Sequence, residues 1–154
     1  MMLRNSHPVA SRAFAAGSFI RARYAKGSAI QAGRNVDISG NEVESAPTWI
    51  VRGGISARSA NTDATLQVSY VGRTFADALN TVSSSATGAV GVVPAYSLVD
   101  VSGGWTLSSR LRVIASANNV LDRQYFTKRP QFYPGPGVWP SDGRSAQLSV
   151  HVTP

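Results

Sequence analysis

The 154-residue sequence predicts an all-β fold. The expected architecture is an antiparallel up-and-down meander of about six long strands, a segment of a transmembrane β-barrel. Three observations lead there. Apolar and polar residues alternate in six separate stretches. The connections between those stretches run long, short, long, short, long. Charged residues make up only 15% of the chain, against about 25% in ordinary soluble domains, which suits an outward surface that meets something other than water.

Taken in order, residues 13–24 (AFAAGSFIRARY) are expected to place Phe14, Ala16, Ile20, Ala22 and Tyr24 on one face. Residues 48–58 place Trp49, Val51, Ile55 and Ala57 together, and residues 63–72 oppose Ala64, Leu66, Val68 and Tyr70 to Thr65, Gln67 and Ser69. Residues 96–107 oppose Val99, Val101, Trp105 and Leu107 to Asp100, Ser102 and Thr106. Residues 111–119 set Leu111, Val113, Ala115 and Ala117 apart from Arg112, Ser116 and Asn118. Residues 144–153 set Ala146, Leu148, Val150 and Val152 apart from Ser145, Gln147, Ser149, His151 and Thr153. Phe19, Ile50, Leu98 and Ile114 are the apolar exceptions on the polar face. Strands of about 9–11 residues match a tilted crossing of a bilayer and exceed the usual 5–6 of a soluble sheet. Residues 1–12 are expected to be disordered or the start of a strand.

The connections at 25–47, 73–95 and 120–143 are long, whereas SANT (59–62) and SSR (108–110) are tight. Every long connection therefore falls at one end, as in barrels with short periplasmic turns and long extracellular loops. The last long connection carries PQFYPGPGVWPSDGRS (130–145), with four of the chain's eight prolines. Their fixed φ stiffens a loop that would otherwise lose much entropy on ordering.

Aromatic placement adds a third layer. Tyr24, Trp49 and Tyr70 are expected at the long-loop end of the apolar face, and Phe14 and Trp105 near the short-turn end. Two aromatic bands around a strip of Val, Leu, Ile and Ala form the girdle of a lipid-facing wall. Arg21, Arg23, Arg52, Arg58 and Arg112 all fall on the opposite face. On the lipid side each would cost roughly 2–4 kcal/mol at the bilayer midplane. A wet lumen predicts this sidedness, and so does any amphipathic sheet.

Catalytic chemistry finds little support. The chain has no cysteine, and its two histidines, His7 and His151, are far apart in sequence. Neither a thiolate site nor a clustered metal site is expected. Glu42 and Glu44 read as solvated loop charge, and GAVGVV (88–93) lacks the lysine and the strand–helix setting of a phosphate loop. No enzyme activity and no cofactor are expected. The net charge of +7 comes from scattered residues, 13 of the 15 cations being arginine; no basic run marks a nucleic-acid partner. No apolar run approaches the roughly 20 residues of a transmembrane helix. Arg12 and polar neighbours interrupt what would be the apolar core of an export signal.

Five segments resemble the C-terminal barrel of TonB-dependent outer-membrane receptors. GNEVESAPTWIVRGGIS (40–56) is similar to that family's Gly-Asn…Ala-Pro entry into a strand. LQVSYVGRTFADALNT (66–81) is similar to its Tyr-Val-Gly…Asp…Asn-Thr segment, and YSLVDVSGGW (96–105) to the strand that follows. ANNVLDRQYF (117–126) resembles its Asn-Asn-Leu-Phe-Asp-Lys-Arg-Tyr signature, with Asp122 placed for an Asx turn. RPQFYPGPGVWPSDGRS (129–145) resembles the last extracellular loop of ferric-siderophore and ferric-dicitrate members. The order and spacing of the five together are specific, and the likeness runs from about Phe14 onward.

The resemblance implies a larger parent: a 22-stranded barrel filled by an N-terminal plug, with a TonB-binding segment ahead of it. Residues 13–154 are then expected to be a C-terminal barrel fragment without the plug, not transport-competent alone. Its implied partners are outer-membrane lipid, the rest of the barrel and its plug, TonB through the parent's N-terminal part, and a ferric chelate. Barrels of this family usually end on an outward aromatic, where this sequence has Pro154. For an anionic ferric chelate, the resemblance points to Arg52, Arg112, Arg129 and Arg144, with Tyr133 and Trp139 for stacking. Structural roles are preferred for each: the wall arginines paired with plug carboxylates or with Asp100, the aromatics stiffening the loop. The competing fold is a small soluble β-sandwich that binds glycans or self-associates, its second sheet covering Leu66, Val68, Val99, Val101, Leu148 and Val150.

Overall fold

Alternation with period two has no helical counterpart, and the computed structural model contains no helix among the residues it describes, 9–133 and 135–153. Most of residues 1–12, and Pro154, lie outside them. The described residues form twelve strands. Six are long: β1 (Ala10–Phe19), β4 (Trp49–Arg58), β5 (Thr62–Val71), β8 (Tyr96–Ser108), β9 (Leu111–Asn118) and β12 (Ser145–Val152). The others are short: β2 (Ser28–Gln31), β3 (Arg34–Asp37), β6 (Thr74–Phe75), β7 (Val92–Val93), β10 (Phe126–Lys128) and β11 (Trp139–Pro140).

The six long strands make one open antiparallel sheet in the order β1-β4-β5-β8-β9-β12, each neighbouring its sequence predecessor among the long strands. Tight turns join β4 to β5, where Ser59 N–H donates to Thr62 O at 2.8 Å, and β8 to β9, with a bulge between Thr106 and Ser108. The three long connections all leave from the opposite end. Each contains a two-stranded ladder of its own: β2–β3, β6–β7 and β10–β11.

Residues directly opposite in an antiparallel ladder share a face, so the register sorts the side chains. Phe19 pairs with Trp49, Val51 with Tyr70, Ile55 with Leu66, Val68 with Val99 and Leu66 with Val101. Val101 continues to Ala117, Trp105 to Val113, Ala115 to Leu148 and Val113 to Val150. One face is thus apolar from β1 to β12. Arg52, Ser69, Gln67, Asp100, Ser102, Ser116 and Gln147 share the other. The sandwich alternative requires a second sheet on the apolar side. No sheet covers it among the described residues, and Ile55, Val68, Leu148 and Val150 stay exposed.

The first strand departs from expectation. It starts at Ala10 and ends at Phe19, and its parity is reversed. Phe14 pairs with Gly54, and Ala16 with Arg52, so both face the polar side. Phe14 is therefore not part of the apolar girdle. Its ring lies over Gly54, where a Cβ would collide with it and with the Leu66 carbonyl. Phe19 takes the girdle position instead, its ring 4.6 Å from that of Trp49 at an interplanar angle of 51°, a favourable tilted pair. Tyr24 lies beyond β1, in the loop tier. Its hydroxyl donates to Glu44, which raises its pKa; partial burial and the carboxylate's charge push the same way.

The buried core sits among the loops. Ile38, Phe75, Val93, Thr74 and Asp77 are buried there, along with Asn119 at the loop end of β9.

Candidate functional site

In the loop tier, side chains from distant segments converge. The first connection turns back at Ala32 (φ 50°) and Gly33 (φ 75°), the paired positive φ values of a two-residue hairpin turn. It is fastened to the second connection by Asn80, also at positive φ. Glu42 N–H donates to Asn80 Oδ1 at 2.7 Å, and Asn80 Nδ2 donates to Glu42 O at 2.8 Å. The side-chain amide thereby imitates a strand neighbour. Asn41 Nδ2 donates to Ala78 O, and Ser45 N–H donates to Phe75 O. Asp77 organises the 77–81 turn: its Oδ1 accepts from Leu79 N–H, Thr81 N–H and the Thr81 hydroxyl. Its Oδ2 has no hydrogen-bond partner among the described residues.

The third connection is tied by Arg129. Its guanidinium donates to Gly88 O at 2.8 Å and Val92 O at 3.1 Å, and lies 4.8 Å over the Phe126 ring. At the base, Asn119 N–H donates to Asp100 Oδ1, and Asn119 Oδ1 accepts from Arg123 N–H. Asp122, at positive φ, accepts from Arg144 N–H at 2.9 Å, a tie across 22 residues in place of the local bond of an Asx turn.

The six expected ligand contacts do not form one cluster. Arg52 is exposed on the polar face of β4, with no hydrogen bond or ion pair among the described residues. Arg112 is at the short-turn end, ion-paired with Asp63 and donating to Thr106 Oγ1. Its partner is Asp63 and not Asp100, and Gly104 leaves room for the pair. Arg129 is committed to loop backbone. Tyr133 and Trp139 are exposed in the third connection, Tyr133 at 91%. Arg144, also exposed, precedes β12. From β4 to β12 is four strand spacings, roughly 19 Å at about 4.8 Å each, so Arg52 and Arg144 cannot grip one small anion together. Sequence reasoning had Asp77 and Asn80 only as part of the 66–81 resemblance, without their partners, and missed Arg73. The Asp77–Thr81 spacing carried a turn signal; the Asn80–Glu42 exchange, spanning 38 residues, carried none.

A single antiparallel layer, apolar on one face, polar on the other and long-looped at one end, defines a class: a piece of an outer-membrane barrel wall. Solved structures narrow this. The chain is similar to the siderophore receptor PiuA from Acinetobacter baumannii, with a TM-score of 0.74 and 18% identity over 97% of this chain and 20% of that one. It is similar to the ferric yersiniabactin uptake receptor FyuA from Yersinia pestis, with a TM-score of 0.69 and 18% identity over 92% and 21%. It is also similar to the ferric citrate transporter FecA, in its unliganded form, with a TM-score of 0.66 and 22% identity over 75% and 18%. The fold is that of a barrel segment of TonB-dependent ferric-siderophore receptors. The chain spans about a fifth of the length of these structures. No protein-family model and no curated protein matches the sequence.

Proposed function

We propose that the chain is the C-terminal wall and loop portion of a TonB-dependent outer-membrane receptor that takes up a ferric siderophore or similar iron chelate. In this reading the barrel portion runs from β1 to the end of the chain. Plug and TonB contact belong to other parts of the parent, and the role is transport and not catalysis. The chain's place is the outer membrane.

The observation that carries the reading is the unbroken apolar face shared by six strands whose long connections all leave at one end. A soluble sheet would have to cover that face. Arg52, exposed and unpaired among the described residues, is the wall residue proposed to meet an anionic chelate; Tyr133, Trp139 and Arg144 are proposed as a separate contact at the third connection, too far from Arg52 to share one small anion with it. Arg112 and Arg129 are proposed to hold structure, given their internal partners.

Detergent dependence tests the reading. The purified chain is expected to stay dispersed only in micelles or lipid; a stable monomer in plain buffer overturns it. In a receptor-deletion strain the chain alone is expected not to restore growth on the ferric chelate. Restored growth would overturn the claim that it is not transport-competent by itself.

A further inference from the structure

Where the apolar face meets the loop tier, a cleft opens between the first and second connections, lined by Glu42, Thr48, Trp49, Tyr70, Gly72 and Arg73 among others. Trp49 and Tyr70 belong to the apolar face, so the cleft sits at its loop-end rim. Arg23 and Arg73 both approach Glu42 Oε1, at 3.9 and 3.8 Å. Those separations exceed hydrogen-bond length. One carboxylate is shared by two guanidiniums, and one positive charge is left over.

Both guanidiniums are held by neutral contacts. Arg23 Nη1 donates to Gly40 O at 2.7 Å, and Arg73 lies 4.8 Å over the Phe75 ring. About half of each side chain stays open, 48% for Arg23 and 54% for Arg73. Glu42 is held through its backbone by Asn80. Arg73 lines the cleft beside Trp49 and Tyr70, and Arg23 adjoins it through the shared Glu42; pre-placed guanidinium donors at an aromatic rim match an amphiphile with an anionic head and apolar tails.

We propose that this rim cleft binds the phosphate of a lipid headgroup, whose acyl chains run down the apolar face past Trp49 and Tyr70. The proposal rests on the outer-membrane reading above.

The test is titration of the full chain in neutral-detergent micelles with short-chain phosphatidic acid, read by native mass spectrometry. Phosphatidylcholine is expected to bind at least about ten-fold more weakly, and inorganic phosphate is not expected to displace phosphatidic acid at equal concentration. Arg23→Gln and Arg73→Gln are each expected to weaken binding about five-fold, and Glu42→Gln to tighten it about five-fold. A gain of affinity is not a folding defect. Arg12→Gln, which removes the same charge at the opposite end of the wall, is expected to change nothing. The site is overturned if Arg12→Gln weakens binding as much as the rim variants, if Glu42→Gln fails to tighten it, or if inorganic phosphate competes equally. A chain that enters phosphatidylcholine vesicles without preferring phosphatidic acid refutes the headgroup site alone. A chain that stays out of both micelles and vesicles refutes the outer-membrane reading.

Discussion

In the wall, Leu66, Val68, Ile55, Val150 and Leu148 remain 39 to 70% exposed; in the loop tier, Ile38, Val93 and Phe75 remain 5 to 7% exposed. The three buried apolar side chains among the described residues thus lie where the loops are, although Ile30, Val82, Leu121 and Phe132 stay exposed there, and the regular strands bare theirs. In the outer-membrane reading proposed above, solvent explains the inversion. Loops that face water must bury apolar groups to stay ordered, whereas a wall that faces hydrocarbon needs no protein cover over its apolar side. The wall is held by backbone ladders, and the tier by a small core with side-chain-to-backbone bonds.

The contrast breaks most visibly at Phe75. Replacing this buried ring by alanine is expected to cost about 3–5 kcal/mol, confined to the tier. Hydrogen exchange in lipid should accelerate across 40–48 and 72–95 and leave β5 and β8 protected; loss of protection in the wall as well would show that the two regions fold as one. Val68→Arg is next. Near the middle of the apolar face it is expected to cost about 2–4 kcal/mol in lipid, whereas Thr65→Arg on the wet face is expected to cost little. Denaturant titration in liposomes compares them, and equal costs would undo the assignment of faces.

Asn80→Ala follows. It removes two bonds to the Glu42 backbone and leaves alanine at positive φ, for an expected loss of about 2 kcal/mol. Limited proteolysis in the first connection reads this, and unchanged cleavage would mean that Asn80 is not the fastener. Smallest is Asp63→Asn. The Arg112 pair is about one-third exposed, so after screening its loss is expected to cost under about 1 kcal/mol, and less at high salt. A larger, salt-insensitive cost would place that end of the wall in a drier setting than the polar face implies.

Five wall strands were legible to within a residue or two, because strict alternation of branched or aromatic residues with Ser, Thr, Gln and Arg leaves one parity open. β1 was misread for the converse reason. In AFAAGSF, alanine and glycine occupy both parities, so nothing local chooses between Phe14 and Phe19. The choice is made by β4, which sets Phe19 against Trp49 and leaves Gly54 bare beneath Phe14. The short ladders of the tier were illegible too. Two-residue strands such as Thr74–Phe75 have no period to detect, and Ala32, Ser45 and Asn80 take positive φ where no glycine advertises it. The expected contact residues were chosen by charge and ring type, properties that say nothing about partners. Arg112 meets Asp63 across 49 residues, and Arg129 meets Gly88 across 41, pairings that only the sheet order and loop packing bring about.

Among the described residues the sheet has two margins, β1 and β12, and neither ladder continues past them. Along each, every second residue directs its N–H and C=O outward with no partner among the described residues, and in an oily medium each such group carries a penalty of several kcal/mol. Both rims are adhesive. By itself the polypeptide is expected to pair these rims with other strands, so its apparent stability should climb with its own concentration.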